Sequence, residues 1–126
     1  MNNYLINEQI KTLLPDSNSP IPDFKQVSRL KNKLGENLLH LIVKTNDYTS
    51  IKNVIDSTKL LPLDEQVIFF TSRDKKYGYT PLHTYYNFVI DNNLKNSNSN
   101  KIMELLMDNI PNNIEDYRGN KIEKIH

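Results

Sequence analysis

The sequence predicts an all-α domain: a stack of helix–turn–helix repeats with an N-terminal capping helix and a partial terminal repeat. Three observations predict it. Two segments align, Lys33-Leu34-Gly35-Glu36-Asn37-Leu38-Leu39-His40 and Lys76-Tyr77-Gly78-Tyr79-Thr80-Pro81-Leu82-His83. Each runs into an apolar stretch, a polar break and a second stretch, with Ile51, Val54 and Ile55 in the first copy matching Ile102, Leu105 and Leu106 in the second. That i, i+3, i+4 spacing puts three apolar side chains on one helical face. A degraded third copy begins at Asp116-Tyr117-Arg118-Gly119-Asn120, and the glycines at 35, 78 and 119 lie 43 and 41 residues apart. Self-similarity at a near-fixed period is the signature of stacked units, none of which can bury its apolar face alone.

The elements follow in order. Residues 1–30 read as an N-terminal helical cap and linker. Asn2 or Asn3 caps a helix ending before Pro15, with Ile6, Ile10, Leu13 and Leu14 on one face. Ser17 to Pro22 is a link containing proline and serine, and Phe24 to Lys33 leads to the first turn. Residues 31–59 form the first repeat, with helices over Leu38–Thr45 and Tyr48–Ser57, Gly35 at a positive-φ turn and Asn37 as N-cap. Residues 60–73 are an insertion. Within it, the acidic pair Asp64-Glu65 just after Pro62 predicts a short helix, while Val67–Thr71 alone also fits a strand. Residues 74–110 form the second repeat, with helices over Pro81–Asp91 and Lys101–Asp108. There Gly78 makes the turn, the Thr80 hydroxyl caps near His83, and Pro81 takes the first helical position. Asp91 to Asn100 stretches the loop between them, and its low-complexity run Asn92 to Asn100 reads as a mobile loop. Residues 111–126 are the partial terminal repeat, where Lys121-Ile122-Glu123-Lys124 puts charge at the expected core position.

Gly78-Tyr79-Thr80-Pro81-Leu82-His83 resembles the ankyrin signature, a glycine followed by Thr-Pro-Leu-His at the start of the inner helix. The chain departs from that family in two ways. Its period exceeds the usual ~33 residues, and Ile42, Val43, Tyr85 and Tyr86 stand where small residues normally let helices approach. The resemblance implies that Leu39 and Leu82 fill the core, and that His40 and His83 tie loops together by hydrogen bonds to backbone. It also implies a protein–protein interaction module, recognising partners through its turns and inner helices. For a divergent, Asn- and Lys-rich member it further implies a cytoplasmic, host-directed adaptor or effector of a virus or intracellular bacterium. The alternative is a structural spacer or capping fragment of a larger repeat protein.

The composition narrows the function classes. The 126 residues include 18 asparagines and no alanine, a bias that reports an AT-rich genome more than a mechanism. A net charge of +1 with interspersed signs argues against nucleic-acid binding. The absence of cysteine removes disulfides, thiolate metal sites and a cysteine nucleophile. Met1-Asn2-Asn3-Tyr4 lacks a basic segment followed by an apolar run, and no stretch reaches membrane-spanning length. No His-x-x-x-His pair, Gly-x-Ser-x-Gly elbow or phosphate-binding glycine loop occurs. An enzymatic reading would require His83 to converge with Asp64 or Glu65. The expectation is therefore no enzyme, cofactor or metal, and a monomer that binds another protein.

Candidate recognition residues come from the turns. Lys31 and Lys33 flank the first, Arg73, Lys75 and Lys76 the second, and Arg118 the third, a basic edge suited to an acidic partner surface. Tyr79 follows the turn glycine and is expected to point toward the finger or concave side, where tyrosine serves well as a contact residue. Tyr85, Tyr86 and Phe88 are expected to fill the core of a repeat that lacks alanine.

Overall fold

A computed structural model of the chain describes residues 24–111 and 114–119, all of them in helices, turns or irregular segments with no strand among them. The helices are α1 (Phe24–Val27), α2 (Leu38–Val43), α3 (Tyr48–Thr58), α4 (Leu63–Thr71), α5 (Pro81–Asp91) and α6 (Ser97–Asn109). The helix expected around Ile6 to Leu14, the 17–22 link and the charged run Lys121 to Lys124 lie outside the described residues.

Helix α2 starts where the sequence places it. Asn37 is in extended conformation (φ −92°, ψ −175°) and accepts the backbone N–H of His40, three residues into the turn. The helix stops at Val43, two residues short of Thr45, because Asn46 adopts φ 56° and turns the chain into α3. Asp47 caps α3 by accepting the Ser50 N–H. The ambiguity over the insertion resolves as helix. Asp64 and Glu65 occupy the first turn of α4, where carboxylates favourably meet the positive end of the helix dipole.

The expected loop between Asp91 and Asn100 is shorter than the sequence reading allows, because α6 begins at Ser97 and not at Lys101. Asn96 and Ser99 form a reciprocal capping box, the Asn96 side chain accepting Ser99 N–H at 2.9 Å and Ser99 Oγ accepting Asn96 N–H at 2.8 Å. The Asn98 amide then donates to the Asn46 carbonyl at 3.0 Å. What composition marks as low complexity is a helix start tied to the turn of the preceding hairpin.

Helix α2 packs on α3 and on α5, α3 packs on α6, and α5 packs on α6. Two helical hairpins thus lie side by side, first helix against first and second against second. The core between them contains Leu38, Leu39 and Ile42 of α2, Ile51, Val54 and Ile55 of α3, Leu82 and Val89 of α5, and Ile102 and Leu106 of α6. Each such side chain contributes about 1.5–3 kcal/mol on burial. Tyr85 is fully buried, and its hydroxyl donates to Asn46 Oδ1 at 2.7 Å. Burial pushes its phenol up to about 12. A bulky residue where small ones were expected therefore bridges the two hairpins, while Tyr86 and Phe88 lie half-buried at the margin of the core.

Candidate functional site

The sequence repetition is matched by three turns built on one plan. In the first, Asn32 Oδ1 accepts the N–H groups of Leu34 (3.0 Å) and Glu36 (2.9 Å). In the second, buried Asp74 uses Oδ1 to accept three, from Tyr77 (2.9 Å), Gly78 (2.9 Å) and Tyr79 (3.2 Å). In the third, buried Asp116 accepts Arg118 N–H at 2.8 Å. Gly35, Gly78 and Gly119 carry φ of 77°, 72° and 84°, a region costly for residues bearing a Cβ. A Cβ at Gly35 would lie 2.9 Å from Lys75 Cγ, and one at Gly78 would lie 2.5 Å from the Tyr117 ring.

Adjacent turns are joined in the same register. Lys75 N–H, next to Asp74, donates to the Leu34 carbonyl at 2.7 Å, and Tyr117 N–H, next to Asp116, donates to the Tyr77 carbonyl at 2.8 Å. Both acceptors immediately precede a turn glycine. The buried imidazole of His40 adds a second tie. The Asn37 N–H donates to its Nδ1 at 3.1 Å, which leaves Nε2–H to donate to the Tyr79 carbonyl at 2.7 Å, so the first hairpin is bonded to the second turn. Burial lowers the His40 pKa and outweighs the Tyr79 bond that raises it, so the ring is held neutral. His83 repeats the local half of this arrangement, its Nδ1 lying 3.2 Å from Thr80 N and 2.9 Å from Thr80 Oγ1. The Thr80 hydroxyl in turn accepts the His83 N–H at 3.4 Å. Glu65 is paired with Arg29 at 2.9 Å.

The joined turns present one exposed edge. Lys31, Lys33, Arg73, Lys75, Lys76 and Arg118 are all exposed along it. Aromatic rings are interleaved with the cations. Arg73 lies over Tyr117 at 5.5 Å, while Lys76 and Arg118 lie over Tyr77 at 5.1 and 5.9 Å. Tyr79 is half-buried between Tyr77 (centroids 4.9 Å apart) and His83 (5.7 Å), so a continuous stack runs from the edge to the start of α5. Burial, followed by the nearby Asp116 carboxylate, raises the Tyr79 phenol.

Beside this stack lies a cleft of about 280 Å³, bounded by Leu34, Lys76, Tyr77 and Tyr79 from the turns and by Thr84 and Asn87 from α5. Its lining includes an ion pair, Lys44 to Glu36 at 2.7 Å. Burial works to raise the Glu36 pKa, but hydrogen bonds from Lys44 and Asn32 outweigh it and bring it below the ordinary value. The buried hydroxyl of Thr84 has no hydrogen-bond partner among the described residues. Such groups are uncommon in folded proteins, and an incoming polar group would satisfy it.

The structure therefore brings Tyr79, Lys76 and the cleft together, keeps Arg73, Lys75 and Arg118 on the adjoining edge, and leaves Lys31 and Lys33 at its first turn. Sequence reasoning missed Asn32 and Asp74 as turn anchors, Thr84 and Asn87 as cleft residues, and the Lys44–Glu36 pair. The anchors carry a readable signal: an Asn or Asp three or four residues before each turn glycine. Among the described residues no group of three or more His, Asp or Glu side chains converges as a metal site, and no helix is long and apolar enough to cross a membrane. Comparison with protein-family models, with characterised proteins and with solved structures finds no match to this chain.

Proposed function

We propose that the chain is an ankyrin-type protein-binding module that recognises an acidic partner surface through its turn edge and the adjoining cleft. The observation that carries this reading is the shared register of the three turns. It lines up their exposed cations and tyrosines beside a cleft that holds an unsatisfied buried hydroxyl. A row of solvent-facing charges steers association and sets specificity, while the partly buried Tyr79 ring supplies apolar contact area. The module acts as a monomeric adaptor with no chemistry of its own, in the cytoplasm or inside a host cell, and the host-directed role follows from the family resemblance. One observation favours the alternative of a spacer in a longer repeat array. The third turn meets the second as the second meets the first, so the stacking rule is satisfied beyond the second hairpin.

The test uses affinity capture with wild type beside two variants, Arg73→Glu/Lys75→Glu/Lys76→Glu and Tyr79→Ala, each matched to wild type in circular dichroism and melting temperature. The reading expects a captured protein whose affinity falls at least tenfold in both variants and weakens with added salt. Equal capture by all three proteins overturns it.

A further inference from the structure

Three exposed cations of the turn edge are held against two rings. Lys76 Nζ lies 5.1 Å and the Arg118 guanidinium 5.9 Å from the centroid of one ring, Tyr77, and Arg73 lies 5.5 Å from that of Tyr117. The rings belong to adjacent turns, joined by the Tyr117 N–H and the Tyr77 carbonyl at 2.8 Å. Two positive charges therefore converge on Tyr77, and a third stands over the ring of the next turn. Among the described residues none of the three makes an ion pair, whereas Arg29, Lys44 and Lys52 each meet a carboxylate at 2.7–2.9 Å. The carboxylates of the same turns, Asp74 and Asp116, are buried and accept backbone N–H groups instead. A ring face attracts each cation, but like charges gathered at one ring repel one another. An anion relieves that repulsion, and a guanidinium stacked on a ring keeps its N–H edge open to receive one.

We propose that the Tyr77–Tyr117 surface receives a phosphate monoester, carried by a phosphorylated side chain of the partner protein. The proposal rests on the reading of the turn edge as a recognition surface and names the acidic group that it takes. Charge selects phosphate over carboxylate. At pH 7 a phosphate monoester carries about −1.5 to −2 charges and three strong acceptor oxygens, enough to meet Lys76, Arg118 and Arg73 together. A carboxylate brings one charge and two oxygens. A protein source fits better than nucleic acid, because a chain of net charge +1 supplies no long basic track. The adjoining cleft, with Leu34, Tyr79 and Asn87 in its lining, offers apolar and polar contacts to residues flanking the phosphorylated one.

The test follows backbone amide shifts of isotope-labelled full-length protein titrated with phenyl phosphate or, at matched ionic strength, with benzoate. The proposal expects saturable shifts at Lys76, Tyr77, Tyr117 and Arg118, with phenyl phosphate bound at least fivefold more tightly. That preference should shrink as pH falls through about 6, where the phosphate gains its second proton. Lys76→Gln/Arg118→Gln, matched to wild type in circular dichroism, should remove the preference, and Lys31→Gln/Lys33→Gln should leave it. Lys101, which lies over Tyr48 at 4.9 Å, is the internal control and should not shift. Equal affinities for the two probes overturn the phosphate assignment and leave the acidic-partner reading standing. Shifts absent from the four amides, or as large at Lys101, overturn it too, and the affinity-capture variants then decide the acidic-partner reading separately. N-acetylphosphoserine amide must behave as phenyl phosphate does. Vesicles containing phosphoinositides, or an oligouridylate, that bind more tightly than this probe per phosphate, and lose that binding in Lys76→Gln/Arg118→Gln, overturn the protein source.

Discussion

Replacing His40 by leucine tests the tie between the first hairpin and the second turn with little change in buried volume. The imidazole is fully buried and makes two bonds that leucine cannot, accepting the Asn37 N–H and donating to the Tyr79 carbonyl. The substitution leaves the Asn37 N–H unsatisfied in the interior, at about 1–3 kcal/mol, and takes from the Tyr79 carbonyl one of two bonds, the Asp74 N–H still donating to it at 2.9 Å. Leucine recovers part of this through burial of apolar surface, so a net loss of about 2 kcal/mol is expected. That is a sizeable share of the ~5–15 kcal/mol available to a domain, and corresponds to a fall of roughly 6–10 °C in Tm. Urea unfolding followed by circular dichroism measures it, with an unchanged slope required for the comparison. The pH dependence supplies an independent check. The folded-state pKa of His40 lies below its ordinary 6.5, so the unfolded chain binds the proton more readily. Its contribution is full above about pH 6.5 and is lost as pH falls from there through the folded pKa. Wild type should weaken over that window and the leucine variant should weaken less. A loss below 1 kcal/mol, or identical pH profiles, would refute the assignment of His40 as a buried neutral tie.

Three further outcomes are expected. Gly35→Ala should cost about 2–3 kcal/mol and Gly119→Ala about 1, because both residues have positive φ but only at Gly35 would the new methyl meet the next turn's backbone, 3.2 Å from Lys75 N; equal losses by thermal unfolding would remove the close approach from the account. Asp74→Ala should cost about 2–4 kcal/mol and accelerate amide exchange at Tyr77, Gly78 and Tyr79, which lose their common acceptor; unaltered exchange at those amides counts against the anchor. Asn96→Ala should cost about 1 kcal/mol and fray Ser97 to Asn100 first, seen as lost helical chemical shifts, and intact shifts there would mean that the capping box does not hold the start of α6.

Features governed by neighbouring residues were legible in the sequence. Gly35, Gly78 and Gly119 declare a left-handed turn because few other residues tolerate one, and Asn37 and Thr80 declare helix starts because their side chains reach the backbone three residues on. The bonding of His40 was partly legible, since the aligned copies placed a histidine at the same position after each helix cap. What depended on distant partners was not. The Lys44–Glu36 pair spans eight residues with no regular spacing to announce it, and the Tyr85 hydroxyl finds Asn46 only once the two hairpins meet. The start of α6 was hidden for another reason. Asn and Ser are poor helix formers but strong caps, so a run of them averages to a loop even where two of them begin a helix.

The shared register of the turns bears on how such a chain changes length over generations. The second turn offers the N–H beside Asp74 to the turn before it, and the carbonyl ahead of Gly78 to the turn after it. A duplicated stretch running from Asp74 to just before Asp116 would arrive with a donor that fits the existing acceptor and would leave an acceptor that fits the existing donor. Recombination at these anchors can therefore add or remove whole hairpins without new contacts having to arise at the junctions, and the chain's inherited unit of change is the interval between anchors.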